Sequence, residues 1–193
     1  MSSFNLIKSI TLPQGIGSTP KLDSNDCFLQ TSGLYKWYQV MIIGVRPSKD
    51  NAYLAMQYYF NQDGYPESGN EYNITGYCND SASNRFWHYS QREYIPFFDN
   101  YNFTGSHSST EVNGIIRIYH PSSPNVEKSI DFQCNAPDAY NNNMLISSGA
   151  SSYKANKSPI TGVSFFFITI NGEQNKIDIS GGQINIYGIN DLA

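Results

Sequence analysis

Charge is scarce in this chain. Asp, Glu, Lys and Arg make up only 15% of 193 residues, and their balance is −4. No basic footprint exists, which argues against nucleic acid as a partner. Cysteine is scarce as well. Cys27, Cys78 and Cys134 are widely separated and odd in number, a poor disulfide framework without metal-ligand spacing. No apolar run is long enough to span a bilayer, so membrane insertion is not expected. The start, from Met1 to Lys8, lacks a charged stretch followed by an apolar one and does not read as a signal peptide. No window keeps the three-to-four-residue apolar period of an amphipathic helix.

Aromatics and turn formers are plentiful. There are 15 Tyr and 11 Phe, 15% aromatic residues in all, a mixture that suits strands with polar, uncharged faces. Strand-like runs cover Lys36 to Val45, Ala52 to Phe60, Tyr72 to Cys78, and Arg85 to Phe98 with a break at Pro96. Further runs cover Glu111 to His120, Val126 to Cys134, a short Met144 to Ser148, and Gly162 to Ile170. Asn61-Gln62-Asp63-Gly64 and Asn171-Gly172 are hairpin signals between them. At the end, Ser180-Gly181-Gly182 reads as a bulge. After it, Ile184, Ile186 and Gly188 share one strand face and Gln183, Asn185 and Tyr187 the other. Such a strand has to pair within a sheet. The expected fold is all-β, an antiparallel β-sandwich with jelly-roll topology.

Two parts are expected. Residues 1–25 form an N-terminal arm or first strand plus connector, and residues 26–193 form the β-sandwich domain. Phe4, Leu6, Ile7 and Ile10 make the first segment apolar, and Pro13 to Pro20 follow as a Gly- and Pro-marked connector. A lone strand cannot hide these side chains, so it adds to its own sheet or to a neighbour. Docking on another protein or a sister subunit makes these four residues an assembly arm.

Catalytic constellations are lacking, and no cofactor is expected. His88, His107 and His120 have no zinc spacing, and no Gly-x-Ser-x-Gly elbow or phosphate loop occurs. Asp23-Ser24-Asn25-Asp26 gathers oxygen atoms but lacks the rest of a calcium loop, and turn chemistry explains it better. Asp63, Glu67, Glu71 and Asp80 crowd one region without any sign of convergence. Four Asn-x-Ser/Thr sequons, at Asn73, Asn79, Asn102 and Asn156, are expected by chance in an Asn- and Ser-rich chain. The segment Arg85 to Tyr94 carries aromatics on both faces. Trp87, Tyr89 and Tyr94 are the candidate platform for stacking on sugar. Burial of both faces, between layers or subunits, is the competing reading.

One pattern carries a resemblance. A strand ends in Gly44-Val45-Arg46-Pro47, a short loop follows, and Ala52 to Phe60 leads to Asp63-Gly64 and Tyr72. Far downstream, Ile160 to Phe167 precedes the Ser-Gly-Gly-Gln-Ile-Asn-Ile-Tyr-Gly-Ile ending. Over roughly residues 34 to 190 this resembles a β-rich domain of tail-fibre and virion structural proteins of tailed bacteriophages, especially marine phages. The resemblance implies a non-enzymatic virion protein, assembled in host cytoplasm, and a tail-associated fibre, tip or adaptor that contributes to host-surface binding. Capsid decoration is the alternative, and a carbohydrate-binding module is the alternative of another class. Expected partners are other virion proteins, sister copies in a symmetric oligomer (a trimer is favoured) and a host-surface glycan. No stalk, heptad or collagen-like repeat accompanies the domain.

Overall fold

A computed structural model describes residues 2–12, 35–48, 51–60, 71–79, 84–98, 111–137, 144–154, 158–169, 176–177 and 179–191. Its strands are β1 (Ser2–Leu12), β2 (Trp37–Pro47), β3 (Ala52–Tyr59), β4 (Tyr72–Asn79), β5 (Asn84–Arg92) and β6 (Ile95–Pro96). They continue with β7 (Val112–Tyr119), β8 (Lys128–Pro137), β9 (Met144–Tyr153), β10 (Gly162–Thr169), β11 (Lys176–Ile177) and β12 (Ile179–Asp191). No helix occurs among the described residues. Both hairpin signals and the Asp23–Asp26 cluster lie outside them, as do Cys27 and His107.

The strands form an eight-stranded sheet, β1-β12-β2-β7-β8-β9-β4-β5, and a four-stranded sheet, β11-β10-β3-β6. Every pairing is antiparallel. The sheets pack together as a sandwich. Aromatic rings join them: Tyr58 of β3, and Phe60 just beyond its end, meet Tyr153 of β9 at 6.2 and 5.1 Å, and Phe97 meets Phe132 at 5.1 Å. The Tyr58 amide donates to the Tyr72 hydroxyl across the layers at 2.9 Å. The expected jelly roll is a finer matter. In this strand order β7, β8 and β9 follow one another as a meander within one sheet, an arrangement that does not establish a jelly roll.

The sheets differ in how they are covered. Every residue of β3 is buried, and so is β10 from Gly162 to Ile168. Their near-continuous apolar sequences match strands covered on both sides. Strands of the large sheet alternate instead. β8 buries Lys128, Ile130, Phe132, Cys134 and Ala136 and leaves the residues between them outward. One face of the large sheet is therefore core, and the other is open.

Bulges shape one end of the large sheet. Gly44 has φ 60° and Gly182 has φ 106°. A Cβ at Gly182 would sit 2.5 Å from the Gly44 carbonyl oxygen. The register shifts here on both sides of β2, and the Gly44 amide donates to Asn113 Oδ1 at 2.8 Å. Close backbone approach and left-handed φ both require glycine.

Two expected boundaries move. The run Arg85 to Phe98 breaks earlier than Pro96: β5 ends at Arg92, just after Gln91 with its φ of 56°. Pro96 is itself paired, opposite Ala55. It is tolerated because β6 is an edge strand, where a missing N–H is harmless. The short strand expected at Met144 extends to Tyr153 and lies between β8 and β4.

Candidate binding face

The inner face of β5 settles where its aromatics go. Trp87 opposes Gly76 on β4, Gly76 opposes Gly149 on β9, and Gly149 opposes Phe132 on β8. The paired glycines leave a trough that Trp87 and Phe132 fill from either side, with rings stacked at 6.2 Å. A Cβ on Gly76 would come within 2.3 Å of the indole. Tyr89 packs beside Trp87 at 5.3 Å, under the Arg92 guanidinium at 4.5 Å.

The expected stacking platform is thereby corrected. Trp87 and Tyr89 are only 6% and 7% exposed and face the core. Tyr94 is half-buried, edge-on to Phe166 and within 3.0 Å of the Tyr53 hydroxyl. Trp87 and Tyr89 therefore offer no open ring face to a sugar. The other face of β5 is not buried between layers of this chain: Phe86 and His88 point outward, and Phe86 is 86% exposed. The glycine trough decides the orientation, and it comes from strands distant in sequence.

The assembly arm divides. β1 pairs along its length with β12 of the same chain, with a register shift between Leu6 and Lys8. It is thus placed as an edge strand of its own sheet. Ile7 and Ile10 pack against the core, whereas Phe4 and Leu6 are more than half exposed on the open face.

Rows of register-matched residues cross that open face. One runs Phe4, Ile189, Trp37, Tyr119, Ser129, Ser152 and Asn73, with Ile189 itself fully buried. The next runs Leu6, Tyr187, Gln39, Arg117, Asp131, Ala150, Thr75 and His88. A third runs Ser9, Asn185, Met41, Ile115, Gln133, Ser148, Tyr77 and Phe86. Arg117 and Asp131 carry the formal charges in these rows, and they pair with each other at 3.0 Å.

Fixed polar groups stand on this face. The Tyr119 hydroxyl donates to Asp131 Oδ2 at 2.6 Å while Arg117 holds Oδ1. Burial, and then the hydrogen bond that Asp131 accepts, raise the Tyr119 pKa, so its hydroxyl stays a donor. Trp37 lies between Phe4 and Tyr119, at 6.4 and 6.2 Å. Near β1, Ser9 donates to Asn185 Oδ1 at 2.7 Å, and Gln183 Nε2 donates to both. The His88 ring reaches Thr75 at 3.2 Å.

Other expected groups do not converge. Glu71 is exposed before β4, and Asp63, Glu67 and Asp80 lie outside the described residues. Among the described residues, no group of three His, Cys, Asp or Glu could hold a metal ion. Cys78 and Cys134 are both buried. Burial pushes the Cys134 thiol far above its ordinary range, so it is no reactive thiolate. No helix among the described residues is long and apolar enough to cross a membrane.

No family model, curated protein or solved structure matches this chain. Residues of the open face were missed in sequence because alternation separates two faces without telling which one is covered. In β2, Tyr38, Val40 and Ile42 are as apolar as Trp37, Met41 and Ile43, yet only the first set is core.

Proposed function

We propose that this chain is a non-enzymatic structural protein of a bacteriophage virion. It sits in the tail as a fibre, tip or adaptor, and contacts the host surface through the open face of its eight-stranded sheet. The observation that carries the contact role is the contrast between the sheets. The small sheet has its central strands buried on both sides, while the large one leaves open an amide- and aromatic-bearing face whose Arg117 and Asp131 charges are paired with each other. Exposed rings beside amides and hydroxyls are recognition chemistry. The virion setting is supported by the resemblance in Gly44-Val45-Arg46-Pro47 and in the C-terminal strand.

Locating the chain in a reconstruction of purified particles tests this reading. Copies at the tail, tens at most, are expected. Hundreds of copies over the head would replace the tail role with capsid decoration, and absence from particles would end the reading. Mass photometry at micromolar concentration tests the accompanying oligomer, with a trimer expected.

A further inference from the structure

We propose that a neutral, extended glycan lies along the outer surface of β9, in a shallow trough floored by Ser148, Ala150 and Ser152. The proposal rests on the surface-contact reading for its choice of face and adds the ligand class and the residues.

The trough follows from side-chain size and register. β9 is interior to the sheet, and its outward residues after Ile146 are small. On one side stand Thr75 and Tyr77 of β4, with Phe86 of β5 tilted against Tyr77 at 5.1 Å. On the other stand Asp131 and Gln133 of β8, with Arg117 and Tyr119 of β7 behind them. Strands lie about 4.8 Å apart, so the β4 and β8 banks are separated by about 10 Å, wide enough for a pyranose chain.

The chemistry selects the occupant. Hydroxyls of Ser148, Ser152 and Thr75, and the Gln133 amide, both donate and accept, as sugar hydroxyls do. Phe86, 86% exposed, offers a ring to the apolar side of a sugar. Asp131 is pinned by Arg117 and Tyr119, so it is held as a fixed acceptor with its charge compensated. A polyanion would need unpaired cations, and Arg117, the one cation in the described rows of this face, is engaged by Asp131. A second copy of the chain would need an apolar centre to the patch, where this floor is Ser and Ala.

The experiment is native affinity electrophoresis of the full chain in gels containing soluble glucan, mannan, xylan, galactan or, as the anionic contrast, alginate. Phe86→Ala and Ala150→Arg are the variants. Both positions are exposed, and thermal melts confirm that the variants fold. At least one neutral polymer should retard the protein more than alginate does. Each variant should weaken that retardation roughly ten-fold, the size of one lost stacking ring or a filled trough. No retardation by any neutral polymer, or full retardation of both variants, overturns the proposal. A preference for alginate overturns it as well. If Ala150→Arg splits an oligomer in mass photometry and no polymer binds, the face is an interface between copies and the proposal is wrong. Absence from particles with glycan binding intact would sink the virion reading alone. Presence in the tail without glycan binding would sink this inference alone.

Discussion

Trp87 lies over Gly76, and this contact decides which side of β5 enters the core. Gly76→Val should therefore destabilise the protein by about 1–3 kcal/mol through overpacking, read by urea denaturation. A mild effect would mean that Trp87 is free to swing away. Serine raises the opposite case. Ser151 Oγ is buried between Ile74 and Ile130 and, among the described residues, has no hydrogen-bond partner. Ser151→Ala should raise stability by about 1 kcal/mol, because it removes an unsatisfied polar atom. Alkaline pH acts on several residues together. Burial raises the thiol of Cys134 and the hydroxyls of Tyr58 and Tyr38, the last to about 12. These groups keep protons in the folded state that the unfolded chain releases. Their contribution is present below the unfolded values and is lost as pH climbs toward the folded ones, at up to about 1.4 kcal/mol per pH unit per group. Lys128, buried with its ammonium donating to the carbonyls of His120 and Ser123, has its pKa lowered by burial and acts in the opposite sense. The three acids outweigh it. Stability measured from pH 8 to 11 should fall, and Cys134→Ala should flatten the start of the fall.

At the scale of elements, the clearest strands in sequence are the most apolar or the most regular. β3, β8, β10 and β12 are found close to where periodicity puts them. β9 is the instructive underestimate. The strand expected there ends at Ser148, but the Ser- and Gly-rich stretch beyond it also holds a place between β8 and β4 because small inward residues admit Trp87 and Phe132. Strand propensity yields here to cross-strand packing. Amides of β9 should consequently exchange more slowly than those of β1 and β5, the sheet edges, in hydrogen-exchange measurements. Equal or faster exchange in β9 would contradict its interior position. β1 gives a second prediction. Its pairing with β12 and the packing of Ile7 and Ile10 make it part of the fold. Deleting residues 1–12 should lower the melting temperature and promote aggregation through the bared β12 edge. An unchanged melting temperature would return β1 to the role of a detachable arm.

At the scale of the whole molecule, the unequal covering of the two sheets determines what meets the surroundings. Because Arg117 and Asp131 pair with each other and other formal charge is absent from the central rows, binding at this face should hardly depend on salt. Retardation on the best neutral polymer should stay constant, within about two-fold, between low and high salt. A steep decline would mean that charges outside these rows dominate. The all-β class, the strand-forming segments and the glycine bulge at the start of the last strand were determined by the sequence, because alternation and turn chemistry are local. Tertiary structure alone decided that β12 lies between β1 and β2, that Trp87 turns inward and Phe86 outward, and that Trp37, Arg117, Tyr119 and Asp131 share one open face. Period-2 alternation is symmetric between two faces. Only the docking of the second sheet, and glycines brought opposite Trp87 by strand pairing, break that symmetry.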